Sequence, residues 1–82
     1  MVGRIVMSKA GRDKNKAQVI LKVTENYLLV CDGKERRLER PKRKNAKHLN
    51  FTNAYLKAHQ LETNRAIRKA LNEFCGAYEE EM

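Results

Sequence analysis

The sequence predicts a mainly β protein, in which a small five-stranded barrel is followed by a C-terminal α-helix. Short β-branched or alternating segments recur at regular spacing through the first 51 residues, which is typical of small barrels. After Phe51 the apolar residues take a helical spacing instead. With 82 residues, of which 41% are hydrophobic, the chain has room for one small core.

The first two predicted strands flank a charged loop. Residues 3–8 are a short β-branched-rich run, which predicts a strand. Residues 9–16 form a loop that carries four Lys and Arg side chains. Residues 17–23 alternate, with Val19 on one face and Gln18 on the other, which is the period of a half-buried strand. We therefore expect two strands joined by this first loop.

A third and a fourth strand are predicted around a tight turn. Residues 27–31 are a continuous apolar run, which indicates a strand buried on both faces. Asp32 and Gly33 follow, and this dipeptide favours a two-residue hairpin turn, whose central positions both need positive φ. The sequence therefore predicts a fourth strand over residues 34–38.

A basic loop and a short closing strand complete the predicted barrel. Pro41 lacks a backbone N–H and forces Arg40 into an extended conformation, which predicts that residues 39–45 form a loop outside the ladder. Residues 48–51 alternate once more and predict the last strand. The predicted barrel domain covers residues 1–52.

The C-terminal region predicts a helix that packs on the barrel. Its apolar residues recur at i, i+3, i+4, i+7 and i+11, namely Ile67, Ala70, Leu71, Phe74 and Tyr78. Thr63 or Asn64 can cap the start of this helix, and Gly76 can end it. Residues 53–61 fit either a helical turn or an ordered arm. The second region, residues 53–82, is therefore predicted to be an arm and an amphipathic helix.

The charge of the chain favours a polyanionic partner. Eighteen Lys and Arg residues against ten Asp and Glu give a net charge of +8, and the isoelectric point is about 9.8. Residues 1–50 carry 14 basic and 5 acidic side chains, whereas residues 51–82 carry 4 and 5. The imbalance assigns the binding face to the first fifty residues.

The basic residues concentrate in the first loop and in a second basic segment, residues 34–47, whose net charge is +6. Arg offers planar bidentate donors to phosphates and Lys a mobile charge. The alternative is a solvated surface that aids solubility, although such surfaces usually mix both signs. His48 can donate to a phosphate or simply finish a strand. The candidate phosphate-binding cations are Lys9, Arg12, Lys14, Lys16, Lys34, Arg36, Arg37, Arg40, Lys42, Arg43, Lys44 and Lys47.

The residues needed for catalysis are not visible in the sequence. It shows no Ser, His and Asp arrangement, no phosphate-binding Gly-rich loop and no paired acids beside a base, so we expect no enzyme. Cys31 and Cys75 lie 44 positions apart with only His48 and His59 as other soft ligands, which predicts packed, reduced thiols and neither metal nor cofactor. The lack of a long apolar run predicts a cytoplasmic protein without a membrane partner.

Aromatic residues are few, and none is Trp. Tyr27 and Phe74 are expected in the core, while Phe51 or Tyr55 beside the basic loop could stack on an unpaired base. This composition favours recognition of the shape and backbone of a folded RNA over the reading of a single-stranded sequence.

Several segments together resemble a known family. They are Gly3-x-Ile5-Val6-x-Ser8-Lys9-Ala10-Gly11-Arg12-Asp13-Lys14, Asp32-Gly33-Lys34, Pro41-Lys42-Arg43-Lys44 and Lys47-His48-Leu49. Over residues 3–51 the chain resembles the bacterial KOW-domain RNA-binding proteins, which are similar to the fourteen-e type large-subunit ribosomal protein. The resemblance implies an SH3-like barrel whose first loop touches RNA backbone, with Gly11 as the KOW glycine. Where the motif usually has Lys-Gly, this chain has Lys14-Asn15, and Asn presents a side chain where glycine would let RNA approach.

Two functions stay open at this point. The first is a non-enzymatic RNA-binding protein, ribosome-associated or ribosomal-protein-like, with ribosomal RNA and ribosomal proteins as expected partners and no small-molecule substrate. The second is a protein–protein adaptor, a transcription or ribosome-associated factor, that uses the apolar helix face. Exposure of Ile67, Leu71 and Phe74 would favour the adaptor. Charge alone does not separate duplex DNA from RNA, and only the resemblance favours RNA.

Overall fold

The computed structural model describes residues 1–9, Gly11 and residues 14–80, with side chains described as far as residue 76. The elements are β1 (Arg4–Ser8), β2 (Ala17–Val23), β3 (Leu28–Cys31), β4 (Lys42–Lys44), β5 (Leu49–Tyr55) and the helix α1 (Asn64–Glu80). The strands form one antiparallel sheet in the order β4-β3-β2-β1-β5. This architecture is consistent with a small SH3-like barrel, and it confirms the predicted mainly β fold with a C-terminal helix.

The strands β1, β2 and β3 lie where the sequence predicts them, to within one residue at each end. The last strand, β5, is longer than predicted because its pairing with β1 continues past a bulge between Arg4 and Val6. Arg4 pairs with Tyr55, so β5 crosses the boundary that the sequence suggests after residue 52. A 3-10 helix over Ala58–Leu61 then leads towards α1.

The predicted fourth strand over residues 34–38 is wrong. These residues form bends and turns, and β4 lies further along the chain, inside the predicted basic loop. The Asp32 carboxylate accepts hydrogen bonds from the backbone N–H of Lys34 at 2.8 Å and of Arg36 at 2.9 Å. An acidic side chain therefore closes this turn, and no two-residue hairpin forms.

Contacts with α1 explain why the chain does not turn back onto β3 after Cys31. Gly33 has a φ of 77°, and a Cβ atom at this position would overlap the backbone carbonyl of Asn64. The backbone N–H of Leu38 donates to Asn64 Oδ1 at 2.8 Å, and Asn64 Nδ2 donates to Glu39 Oε1 at 2.8 Å. Residues 32–41, the connecting segment, are thus bound to the N-terminus of α1. Tertiary packing overrides the local preference of the dipeptide for a hairpin.

Two buried clusters lie on opposite faces of the sheet. The helix-side core consists of Ile5, Val19, Cys31, Ile67 and Leu71. The inner core consists of Val6, Ile20, Leu28, Val30 and Leu49. Successive residues of a strand point to opposite faces, so the centre of β2 is buried on both sides, including Gln18. The expectation of a half-buried second strand is therefore wrong at its centre.

The helix α1 starts as predicted and ends later than predicted. Thr63 Oγ1 accepts a hydrogen bond from the backbone N–H of Ala66 at 3.0 Å, which is an N-cap. Gly76 does not end the helix, because α1 continues through it to Glu80 and Gly76 has no positive φ. Among the described residues, no helix is long and apolar enough to cross a membrane.

Candidate nucleic-acid interface

The first loop, residues 9–16, is closed at its base by backbone hydrogen bonds. The N–H of Ser8 donates to the carbonyl of Lys16 at 3.1 Å, and the N–H of Asn15 donates to the carbonyl of Ser8 at 2.8 Å. Asn15 has a φ of 67° and Gly11 a φ of 77°, so both occupy the left-handed region, as expected for sharp bends. The loop exposes Lys9, Lys14 and Lys16. The predicted contact residue Arg12 lies outside the described residues.

The second basic segment meets the first loop at two places. The backbone N–H of Lys9 donates to the carbonyl of His48 at 2.8 Å, and Lys44 Nζ donates to Ser8 Oγ at 3.2 Å. These contacts bring Lys9, Lys44 and His48 together where β1 ends and β5 begins. Lys47 is exposed in the short 3-10 helix that precedes β5.

On its other side the first loop contacts the connecting segment. Lys16 Nζ lies 3.6 Å from Glu35 Oε1, and both side chains are about half-exposed. A surface ion pair of this kind contributes at most about 1 kcal/mol to stability, so its main interest here is positional. The first loop lies between two parts of the second basic segment. The structure thus joins two clusters that are separate in sequence into one surface, which we call the basic surface.

Five exposed cations of the basic surface make no ion pair with a described residue. Within the part of the chain that the structure describes, Lys9, Lys14, Lys34, Arg37 and Lys47 are exposed and make no ion pair. Their positive charge is therefore available to a polyanion instead of being neutralised by the protein itself.

The remaining predicted cations are tied more closely to the fold. Arg36 and Arg40 lie in the connecting segment, and Arg36 is half-buried. Lys42 is half-buried in β4, which is an edge strand of the sheet. The Arg43 guanidinium lies over the Tyr27 ring, 4.7 Å from its centre. Stacking of this kind attracts the cation to the ring face, so Arg43 is partly engaged within the molecule.

Tyr55, an exposed aromatic residue on β5, does not lie beside the first loop. The Arg4 guanidinium lies over both Phe51, at 5.2 Å, and Tyr55, at 5.8 Å. Phe51 packs against the inner core. Tyr55 is 55% exposed, but its β1 partner is Arg4, four residues from the loop end of the strand. That separation is about 13 Å along β1, so Tyr55 does not lie next to the first loop.

A surface cavity of about 290 Å³ lies between the first loop, the connecting segment and α1. Lys16, Lys34 and Arg68 line it. Sequence reasoning missed Arg68, because the C-terminal region has no net positive charge and was given no part in binding. A signal was present: Arg68 and Asn72 directly follow the buried Ile67 and Leu71, which places them together on one flank of the helix.

The two cysteines have different environments. Burial, assisted by the negative charge of Asp32, raises the pKa of the Cys31 thiol from 9.0 to about 11, so this group stays protonated at neutral pH. Cys75 is half-buried on the cavity wall. Neither residue forms a disulfide. No group of three or more His, Cys, Asp and Glu side chains suited to a metal ion gathers anywhere in the described residues.

No protein-family model matches the chain, and no curated protein sequence matches it. The resemblance to KOW-domain proteins therefore rests on the motif residues themselves. The basic surface rests on independent observations, namely the contacts that join its two segments and the exposure of its cations.

Proposed function

We propose that the protein is a non-enzymatic RNA-binding protein that holds structured RNA by its phosphate backbone. One observation carries this proposal: two lysine-rich segments, separated in sequence by more than a whole hairpin, meet on one surface around the first loop. Binding of such a surface to RNA releases the counterions that surround the phosphates, which makes association favourable at low salt.

The chemistry of the surface suits backbone contacts. Lys9, Lys14 and Lys47 are exposed and carry mobile charges that can follow phosphates without requiring a particular base. The resemblance to KOW-domain proteins favours RNA over duplex DNA, and large-subunit ribosomal RNA in particular. A cytoplasmic location beside ribosomal proteins belongs to the same proposal.

Protection of the sheet edge is a second possible role for part of the charge. β4 is an edge strand with the sequence Lys42-Arg43-Lys44, and charged residues on an edge strand discourage pairing with other chains. That role accounts for β4. Edge protection does not explain why the first loop exposes cations. RNA binding accounts for the positive charge of both β4 and the first loop.

The fold buries the apolar helix face that the adaptor hypothesis requires. Ile67 is 0% exposed and Leu71 4% exposed, both within the helix-side core. Phe74 is half-buried and packs against the same cluster. Because the apolar helix face is used inside the monomer, we do not propose it as a docking site.

The cellular partner can be identified by crosslinking the protein in cells, purifying it under denaturing conditions and sequencing the attached nucleic acid. We expect enrichment of large-subunit ribosomal RNA. Recovery of no RNA above background would contradict the proposal, and enrichment of DNA would redirect it to a duplex.

A binding experiment tests the surface itself. A triple variant, Lys9→Gln, Lys14→Gln and Lys47→Gln, is compared with a charge-matched control, Lys22→Gln, Lys57→Gln and Lys69→Gln, whose lysines are also exposed. The dissociation constant for a fluorescent RNA hairpin is measured across a range of KCl concentrations.

We expect the unmodified protein to lose affinity steeply with salt, by about 0.7 to 0.9 log units per phosphate contact for each log unit of salt. The basic-surface triple variant should lower that slope by about 2, whereas the control should leave it nearly unchanged. Equal effects of the two triple variants would show that net charge acts alone and that the basic surface is no defined interface.

A further inference from the structure

The cavity beside the first loop has the size and the wall chemistry of a site for one unpaired nucleotide. We propose that it takes a single ribonucleotide that projects out of the bound RNA, and this inference rests on the proposed RNA-binding function. Its volume of about 290 Å³ lies at the lower end for small-ligand pockets, which begin at about 300 Å³.

Uncharged side chains supply part of the cavity wall. Ala17, Leu71 and Cys75 line it, and Leu71 also belongs to the helix-side core, which holds this part of the wall rigid. Proteins that accept an extruded base cover its faces with apolar or aromatic side chains. This part of the wall therefore suits the flat face of a nucleobase.

Two side-chain amides line the cavity from different elements. Asn15 comes from the first loop and Asn72 from α1. Each amide offers two N–H donors and a carbonyl acceptor, and neither side chain has a hydrogen-bond partner among the residues that the structure describes. The edge of an unpaired base carries hydrogen-bond donors and acceptors, and proteins recognise it with groups of the opposite kind, which these amides supply.

The charged residues of the cavity wall leave positive charge for a phosphate. Lys16 pairs with Glu35, and Asp32 keeps its negative charge while its Oδ1 accepts two backbone N–H groups, so the five charged side chains of the wall sum to +1. Lys34 and Arg68 make no ion pair within the described part of the chain. Arg binds phosphate oxygens with two parallel N–H donors.

The cavity is continuous with the basic surface, because Lys16 belongs to the first loop and also lines the cavity. An RNA backbone held by the first loop passes the cavity mouth, where one extruded nucleotide can enter. The cavity thereby adds a preference for irregular RNA, in the form of a bulged nucleotide, to a surface that otherwise reads only phosphates.

The amide of Asn15 can be removed without straining the backbone of the first loop. Its φ of 67° lies in the left-handed region, which glycine adopts freely, so Asn15→Gly removes the amide without backbone strain. Asn72→Ala removes the second amide from an exposed helix position. Asn53→Ala is the matched control, since Asn53 is exposed on β5 and does not line the cavity.

Two RNA hairpins serve as probes, identical except that one carries a single-nucleotide bulge, prepared with each of the four bases. We expect the unmodified protein to bind the bulged hairpin about threefold to tenfold more tightly, as one or two additional hydrogen bonds allow. Asn15→Gly and Asn72→Ala should each reduce this preference to less than about twofold. Asn72→Ala, which lies on α1 and outside the first loop, should leave the affinity for the unbulged hairpin unchanged. Asn53→Ala should retain the full preference.

Cys75 provides a second readout, because it is half-buried on the cavity wall whereas Cys31 is fully buried. The rate at which iodoacetamide modifies Cys75 is followed by mass spectrometry. The bulged hairpin should slow this reaction more than the unbulged hairpin does. Equal protection by both hairpins would overturn the proposal. Full protection by 5′-mononucleotides alone would overturn it too, by showing a site for free nucleotides.

The experiment separates this inference from the proposed function. Tight, salt-dependent binding of both hairpins with equal affinity would refute the nucleotide site and leave backbone binding intact. Failure of both hairpins to bind would remove the proposed function and the nucleotide site together.

Discussion

Gly11 and Gly33 have the same backbone conformation, with φ of 77° in each case, but their surroundings are opposite. Among the described residues, an added Cβ at Gly11 would meet no atom within 4 Å, whereas one at Gly33 would meet the backbone of Asn64 and Arg68. Gly11 belongs to the first loop and Gly33 to the connecting segment. Two basic turns of similar composition are therefore used differently, one as an open surface and the other as an anchor for α1.

The first loop and the connecting segment also differ in how many of their residues are held by hydrogen bonds. The connecting segment is held along its length, by the Asp32 carboxylate and by the Asn64 amide. The first loop is held at its base through Ser8. Loops that carry binding residues are commonly open in this way on a rigid scaffold. The contrast predicts that changes in the connecting segment alter folding, while changes in the first loop alter binding.

The largest expected effect separates the two glycines. Gly33→Ala should lower the free energy of unfolding by more than about 3 kcal/mol, because the new methyl group overlaps backbone atoms of α1 in addition to the left-handed strain. Gly11→Ala introduces only the strain of a left-handed backbone, which should lower the free energy of unfolding by about 1 to 2 kcal/mol. Urea unfolding followed by circular dichroism measures both variants. Equal losses would show that the connecting segment is no anchor.

The next effect concerns pH and the buried thiol of Cys31. In the unfolded chain this thiol loses its proton near its ordinary pKa of 9.0, but in the fold it keeps the proton up to a pKa of about 11. Alkaline pH therefore favours the unfolded state, and stability should fall by up to about 1.4 kcal/mol per pH unit between pH 9 and 11. Below pH 9 this contribution is constant. Urea unfolding at each pH measures it.

Cysteine variants provide the control for this pH effect. Cys31→Ala should remove that part of the alkaline loss while lowering stability below pH 9, because it leaves a small cavity in the helix-side core. Cys75→Ala should retain the loss. The same pH profile in Cys31→Ala and in the unmodified protein would assign the effect to other groups.

A smaller effect is expected at Gln18, the second residue of β2, close to the first loop. Its side chain is fully buried, and within the described residues neither amide atom has a hydrogen-bond partner. Burial of an unpartnered amide costs about 1 to 3 kcal/mol, so Gln18→Met, which has a similar volume, should raise the free energy of unfolding by about 1 to 2 kcal/mol. In Gln60→Met, by contrast, the bond from Lys57 N–H is lost and stability should fall. A lower stability for Gln18→Met would contradict the reading that the amide is unpartnered.

The smallest effect on stability is expected at an exposed first-loop lysine. Lys14→Gln should change the free energy of unfolding by less than about 0.5 kcal/mol, because Lys14 is exposed and makes no ion pair with a described residue. It should nevertheless lower the salt slope of RNA binding by about 0.8. A marked loss of stability would show that the first loop is also an anchor and would remove the contrast between the segments.

Residues with a strong local period were predicted well. The helical spacing of Ile67 and Leu71 depends on which face meets a core, and burial confirms it. Residues 17–23 form the strand that their pattern predicts, although the centre of β2 is buried on both faces. The fourth strand was misplaced because the hairpin preference of Asp32-Gly33 is local, whereas the contacts with Asn64 come from residues 31 positions further along the chain. The distribution of charge assigned the candidate binding face to the first fifty residues. It gave no indication of Arg68, because the C-terminal region has no net positive charge.

The sequence by itself determined the mainly β class, the position of four strands, the apolar face of α1 and the excess of positive charge in the first fifty residues. Each of these follows from residue spacing or composition, which are properties of neighbouring residues. The tertiary structure alone decided the position of β4, the burial of Gln18, and the meeting of Lys16, Lys34 and Arg68 around one cavity. These depend on contacts between distant residues, which the packing of the helix on the sheet brings about.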